Sequence, residues 1–282
     1  MIRFGTAGAG AGLCESVGMK TSVWNAVQAC ALHELTAMEV EFVQGVKMSL
    51  QSAKDIGELA RSLGVRLSVH APYWINLASE EPEKVMNSRR RILDSCHRAH
   101  FLGAKDVVFH AAFYGKRSKE EVTKMVEESI FYLKEEIKNE GWNEVNVSPE
   151  YTGKTFQWGD LHELAAIRKK TGCSFCIDFA HVWARNQGNV DWQTVFYILE
   201  QLELEHLHSH FSGIEFRKTG ERRHLEYDGF NPDFKPIARE ILKRNMNVTI
   251  ISESPVTWQD SLKCKAEMIG LLEEDDQFPE VP

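Results

Sequence analysis

The sequence predicts a closed (β/α)8 barrel, the TIM-barrel class, and three observations carry that prediction. Eight short β-rich runs recur along 282 residues, amphipathic helical segments separate them, and no Pro/Gly/Ser-rich linker or low-complexity tract interrupts the alternation. A chain of this length with 43% hydrophobic side chains can bury one large core. One barrel domain spanning residues 1–282 is therefore expected.

The runs are, in order, Ile2 to Thr6, Met38 to Val43, Arg66 to His70, Asp106 to His110, Val145 to Glu150, Ser174 to Asp178, Leu207 to Phe211 and Val248 to Glu253. Most are near-continuous apolar stretches rather than clean alternations, as parallel strands require when helices cover one face and the barrel interior the other. The helices between them carry boundary signals. Ser118-Lys119-Glu120-Glu121 is a capping box, able to satisfy orphan backbone donors at a helix start. From Asp160 to Lys170 the stripe Leu161, Leu164, Ala165 and Ile167 leads into Arg168, Lys169 and Lys170, and Gly172 stops the helix. Gly5 to Gly12, after the first run, matches a dinucleotide fingerprint poorly and reads as a flexible βα loop close to substrate.

The net charge of −8 and pI near 5.8 exclude the global cationic field of a protein that coats nucleic acid unspecifically. Two local basic clusters stand out, Arg89-Arg90-Arg91 and Arg217, Lys218, Arg222 and Arg223; solvated surface explains either equally well. Six scattered cysteines point to a reducing compartment, and the lone Cys173-Ser-Phe-Cys176 reads as structural. The amino terminus enters a strand directly and no segment approaches the roughly 20 apolar residues of a membrane span, so a soluble cytoplasmic protein is expected. Glu273-Glu274-Asp275-Asp276 reads as a solvated terminus.

In a barrel of this class the chemistry sits where strands end and βα loops begin. Six of the eight runs carry a metal-ligating residue type at their last position or, for His210, next to it: His70, His110, Glu150, Asp178, His210 and Glu253. A lone histidine or carboxylate at a strand end is usually a hydrogen-bonding group or a cap; six in register point to a metal centre. Mixed imidazole and carboxylate donors suit zinc, with manganese or iron also possible, better than magnesium or calcium. Around the barrel Glu150 falls between the two early histidines and the three later ligands. One cation would take His70, His110 and Glu150 with a position left open, and a second Glu150, Asp178, His210 and Glu253. Two cations about 3.5 to 4 Å apart can activate water and stabilise both oxygens of a phosphoester displacement. His181, three residues after Asp178, is a candidate ligand for a third. His208 shares the strand face of His210, so either is a candidate ligand; His210 is favoured, with His208 deeper in the barrel or supporting it.

The segments His70-Ala71-Pro72-Tyr73-Trp74-Ile75-Asn76-Leu77, Phe109-His110, Pro149-Glu150-Tyr151-Thr152-Gly153, Cys176-Ile177-Asp178-Phe179-Ala180-His181 and Glu253-Ser254-Pro255 resemble the endonuclease IV family of apurinic/apyrimidinic endonucleases, within the xylose-isomerase-like barrel superfamily. The resemblance covers nearly the whole chain. It implies a zinc-dependent phosphodiesterase that cuts damaged double-stranded DNA 5′ to an abasic site, using two or three zinc ions with Glu150 as the bridging catalytic carboxylate. It also implies that Tyr73 packs into bent DNA, although Tyr73 could equally seal the barrel mouth. The family's Asp-x-His triplet for the third zinc is replaced here by Gly220-Glu221-Arg222-Arg223-His224-Leu225, so His224 with Glu221 would substitute, and the family's histidine after the first strand is missing near Ala7. A monomer is expected.

A sugar isomerase or epimerase of the same superfamily is the alternative. It would use Glu150, Asp178, His210 and Glu253 around one manganese-like ion, with Glu150 and Glu253 moving protons and His181 and Arg217 binding sugar oxygens. It leaves His70 and His110 without a task. A third reading is a metal-stabilised scaffold without turnover.

Overall fold

Each of the eight runs forms a parallel strand, and the strands follow one another around a barrel in chain order. The computed structural model describes residues 1–277. The strands are β1 (Ile2–Ala7), β2 (Ala37–Glu41), β3 (Arg66–His70), β4 (Asp106–Phe109), β5 (Asn146–Pro149), β6 (Cys176–Asp178), β7 (Leu207–Phe211) and β8 (Val248–Ser252). Parallel ladders run from β5 through β4, β3, β2, β1, β8 and β7 to β6. The circle closes just beyond the β5 ladder, where Glu150 bridges Cys176 and the Tyr151 N–H donates to the Cys176 carbonyl at 2.9 Å. The strand that supplies Glu150 is thus also the seam of the barrel.

Helices cover the outside and bury the apolar strand residues, Val69, Val107, Phe109, Ile177 and Ile251 among them, on both sides of the sheet. The boundary chemistry is visible atom by atom. Ser118 Oγ accepts from the Glu121 N–H at 3.2 Å while the Glu121 carboxylate accepts from the Ser118 N–H at 2.8 Å, starting the helix Lys119–Asn139. Asp160 and Glu163 make the same reciprocal pair before Leu161–Thr171, and Gly172 ends that helix with φ 66°. No helix among the described residues is long and apolar enough to cross a membrane. All six cysteines are free and buried.

Three features depart from the sequence expectation. His110, Glu150 and Glu253 lie one residue past their strands, although the last two still bond sideways, Glu150 N–H to the Phe109 carbonyl at 3.0 Å and Glu253 N–H to the Phe211 carbonyl at 3.1 Å. The segment after β7 is an antiparallel hairpin, Gly213–Arg217 with Gly220–Leu225, and Ala112–Phe113 pairs with Gln157–Trp158. The glycine-rich loop is pinned, with Leu13 and Cys14 buried and Trp258 Nε1 donating to the Ala11 carbonyl at 3.0 Å. Of the acidic run, Glu273 and Glu274 are exposed on the helix Thr257–Gln277, and the side chains of Asp275 and Asp276 fall outside the described residues.

Close approach of β1 and β2 depends on Gly5, where an added Cβ would meet the Ala37 carbonyl oxygen at 2.3 Å. Because both partners are backbone, Gly5→Ala is expected to cost about 3 kcal/mol. Its thermal midpoint, read by calorimetry, should fall by roughly 5–10 °C.

Candidate metal centre

The strand ends and the loops just beyond them bring eight histidine and carboxylate side chains into one buried cluster. Donor atoms of His70, His110 and Glu150 lie within 4.8 Å of one another, as do those of Glu150, Asp178, His210 and Glu253, and those of Asp178, His181 and His224. Glu150 belongs to the first two groups and Asp178 to the last two. Glu150 Oε2 is 3.2 Å from His70 Nε2 and 3.1 Å from His110 Nε2, while Oε1 faces His181 Nδ1 at 3.1 Å and His210 Nδ1 at 3.7 Å. His210 Nδ1 is also 3.3 Å from Glu253 Oε1, and Glu221 Oε2 reaches to 3.4 Å from His181 Nε2. Tyr73 stands at the rim, 61% exposed, its ring centroid 6.4 Å from that of His70.

Local folding aims these groups. Asp178 ends β6 and caps the helix Phe179–Arg185, accepting from the His181 N–H at 2.8 Å, so one turn of chain delivers both side chains to the same cleft. His70 Nδ1 lies 2.9 Å from the Ala71 carbonyl and His181 Nδ1 2.9 Å from the Tyr151 carbonyl, contacts that place the proton on Nδ1 and leave Nε2 as the donor atom. Gly153 lets the hairpin close in, since a Cβ there would lie 2.6 Å from Glu221 Cβ and 2.8 Å from His181 Cδ2. Arg185 Nη1 donates to the carbonyls of Thr152, Lys154 and Gln157 at 3.0–3.1 Å and fixes the loop after β5.

Electrostatics set these groups against one another. Burial opposes charging of His70, but its hydrogen bond to Glu150 and the fields of Glu41, Glu150 and Glu39 push it up to about 10. Burial with the Glu150 and Asp178 charges lifts Glu253 to about 8, against the pull of His210. Glu150 is held well below the usual carboxylate range, since His110 and its other histidine neighbours outweigh burial. His224 is lowered by burial and by His181, which keeps it neutral. A cation would need the unprotonated forms, so uptake must expel protons. At pH 7 Glu253 loses a proton along with His70 and with His181 and His210, both raised well above the usual imidazole value by neighbouring acidic groups; at pH 9 Glu253 is already ionised and its share of the release is gone. A pH-stat titration of zinc into chelator-stripped protein should show release falling between pH 7 and 9. Constant release across that range would contradict these placements.

Sequence reasoning missed two carboxylates on β2. Glu39 is fully buried beneath the cluster. Its Oε2 accepts from Ser68 Oγ at 2.7 Å and lies 2.8 Å from His208 Nε2, while Oε1 lies 2.9 Å from His210 Nε2. His210 therefore has its Nε2 side occupied and its Nδ1 side turned to Glu253 and Glu150, and His208 supports from below. Glu41 pairs in register with His70, and burial raises it to about 7. Gly8 of the glycine-rich loop abuts Glu41, its absent Cβ 3.4 Å from Glu41 Cγ. Cys176 is not enclosed only by apolar neighbours, because its Sγ shares a 4.8 Å cluster with His208 and His210. Carboxylates behind metal-binding histidines are worth about 10–100-fold in affinity. Glu39→Gln is expected to weaken zinc binding by that factor in a chelator competition, whereas Glu34→Gln, on an exposed surface side chain, should change nothing.

The basic clusters are partly spoken for. Arg89 donates to Ser129 Oγ at 3.1 Å and Arg91 to the Trp74 carbonyl at 3.0 Å; Arg222 and Arg223 pair with Glu215. Arg217 is exposed near the hairpin turn, its carbonyl accepting from Gln187 Nε2 at 2.9 Å.

The donor set fits divalent cations. Glu150 Oε1, Asp178 Oδ2, His181 Nε2 and His210 Nδ1 are buried without a hydrogen-bond partner, an arrangement that is costly unless something positive lies between them. Imidazole and carboxylate together suit zinc or a comparable transition metal.

Residues 27–270 match the profile of a family described as xylose isomerase-like TIM barrel. An uncharacterized protein of Methanocaldococcus jannaschii is 35% identical over 95% of this chain and 98% of its own length. An apurinic-apyrimidinic endonuclease of Caenorhabditis elegans is 31% identical over 41% of this chain, a match spanning only 30% of that protein. Among solved structures, a D-tagatose 3-epimerase-like protein superposes with TM-score 0.72 at 19% identity over 98% of each chain. Endonuclease IV from Thermus thermophilus does so with TM-score 0.68 at 18% identity, over 96% of this chain and 99% of its own.

Proposed function

Because the chain belongs to the xylose isomerase-like TIM barrel family, whose relatives include both nucleases and epimerases, we propose that it is a metal-dependent phosphodiesterase that incises damaged double-stranded DNA 5′ to an abasic site. One observation carries this reading: His70, His110 and Glu150 form a second donor group that shares Glu150 with the group of Asp178, His210 and Glu253. A single-ion sugar epimerase would leave the first group without work. An endonuclease is among the relatives matched by sequence, 31% identical over 41% of this chain, while the solved epimerase-like and endonuclease IV structures, at 19% and 18% identity, are alike in fold.

In this reading His70, His110 and Glu150 would hold one zinc, and Glu150, Asp178, His210 and Glu253 another. Asp178 with His181 and His224, aided by Glu221, would hold a third. Zinc ions so held would lower the pKa of water and neutralise charge developing on a phosphodiester. The chain's own residues keep the donors ionised and aimed. Glu150 stays a carboxylate because its histidine neighbours hold it there. His110, 30% exposed at its side chain, marks the side open to solvent, while His181, His210 and Asp178 are buried and closed to it. Tyr73, exposed at the rim, is positioned to touch DNA beside the lesion.

Zinc-loaded protein should cut an oligonucleotide duplex bearing one tetrahydrofuran abasic analogue on its 5′ side, and chelation should stop it. No cleavage, together with metal-dependent epimerisation of a ketose, would transfer the assignment to the alternative.

A further inference from the structure

Around the barrel mouth, residues far apart in sequence form one continuous arc. Phe113 and Phe156 stack at 6.3 Å with an interplanar angle of 15°, yet are 38% and 48% exposed. They sit on the short ribbon that ties the loops after β4 and β5 together, the Tyr114 N–H donating to the Phe156 carbonyl at 3.1 Å. The hairpin after β7 locks onto the next residues, with the Thr155 N–H donating to the Thr219 carbonyl at 3.1 Å and the Glu221 N–H to the Gly153 carbonyl at 3.0 Å. This brings the hairpin turn that carries Arg217 and Lys218 against the backbone of Lys154 and Thr155, next in the chain to Phe156. The same hairpin carries Glu221, whose carboxylate is 3.4 Å from His181 Nε2, so the arc runs directly into the candidate metal centre.

The charge pattern identifies a partner. In a chain of net charge −8, this stretch is locally cationic. Of the acidic groups nearby, Glu215 is taken by Arg222 and Arg223, and Glu221 lies between His181 and, at 4.0 Å, Lys154. Arg217 and Lys218 are exposed and pair with no carboxylate among the described residues. A rigid, half-exposed aromatic pair flanked by unpaired cations matches a chain of flat rings on a polyanionic backbone. Another protein surface would use the aromatics but has no systematic need of the cations.

We propose that this arc binds an unpaired stretch of nucleic acid, one base stacking on the Phe113–Phe156 pair and the adjoining phosphates lying on Lys154, Arg217 and Lys218. In the phosphodiesterase reading, on which this assignment rests for its purpose, the arc leads the strand next to the lesion toward the metal centre.

The test uses an undamaged 15-nucleotide single strand containing 2-aminopurine, which is no substrate for the proposed incision, and the zinc-loaded full chain. Wild type should quench the fluorophore. Phe113→Ala/Phe156→Ala should lose the quench and about tenfold or more in affinity. Phe113→Leu/Phe156→Leu, which keeps apolar packing, should behave the same way. Arg217→Ala/Lys218→Ala should keep the quench and flatten the log–log salt dependence by about 0.7 per cation removed. Hydrolysis of bis(p-nitrophenyl) phosphate should be unchanged in all three. Unaltered quench and affinity in both phenylalanine variants, or no strand binding by wild type, overturns the proposal. Strand binding that the variants abolish, in a protein that never incises abasic DNA, upholds the arc and removes the incision reading; incision with phenylalanine variants indistinguishable from wild type in binding does the reverse.

Discussion

In Glu150→Gln protein, incision at an abasic site is expected to fall about a thousandfold or more, and the metal content to fall with it. Glu150 is fully buried, and its two oxygens face different donor groups: Oε2 toward His70 and His110, Oε1 toward His210 and, from the third group, His181. An amide keeps the shape but supplies a neutral, weaker oxygen on one side and an N–H on the other, which repels a cation. Several kcal/mol of charge stabilisation disappear with it, and each 1.4 kcal/mol is a factor of ten in rate. Inactivation here distinguishes a role in the site from a role in the barrel seam, because the seam uses the backbone at Glu150 and Tyr151 rather than the carboxylate. The variant should therefore keep its far-ultraviolet circular dichroism. Activity within tenfold of wild type would refute the shared-carboxylate arrangement.

The second large effect separates the two enzyme readings. His70→Ala/His110→Ala removes two of the three donors of one group and leaves Asp178, His210 and Glu253 untouched. Elemental analysis should show one metal fewer per chain, and abasic incision should collapse by about a hundredfold or more, the lower end of what losing one Lewis-acid ion implies. If the protein is an epimerase with one ion, the metal count stays the same and turnover of the ketose survives. Both positions lie at the mouth ends of their strands without supporting the core, so the fold should persist.

These residues were legible in the sequence because parallel barrel strands impose a frame: once a strand's register is known, its last residue must face the mouth. His70, Asp178 and Phe211, two strand-end ligand candidates and one apolar strand end, end their strands as the apolar runs imply. Glu41 escaped because the run to Val43 looked continuous, placing the strand end two residues late, whereas the chain turns away after Glu41. Glu39 escaped for a different reason. It lies inside a strand, where a carboxylate normally argues against burial, and only the folded barrel shows that His208, His210 and Ser68 come from β7 and β3 to meet it. The hairpin after β7 was hidden by its own surface: Arg217, Lys218, Arg222 and Arg223 read equally well as solvated surface, while the residues that seat it, Ile214 and Phe216, are packed against the helix Phe179–Arg185. The spacing of Glu221 and His224 could not show that both reach His181, since a bulge between Glu215 and Phe216 shifts the register.

Crystals of the zinc-loaded protein, with anomalous maps recorded above and below the zinc edge, test the central claim most directly. The account predicts at least two anomalous peaks about 3.5–4 Å apart with Glu150 bonded to both, His70 and His110 on one side and Asp178, His210 and Glu253 on the other. A single peak held by Glu150, Asp178, His210 and Glu253, with His70 and His110 free of metal, would contradict it.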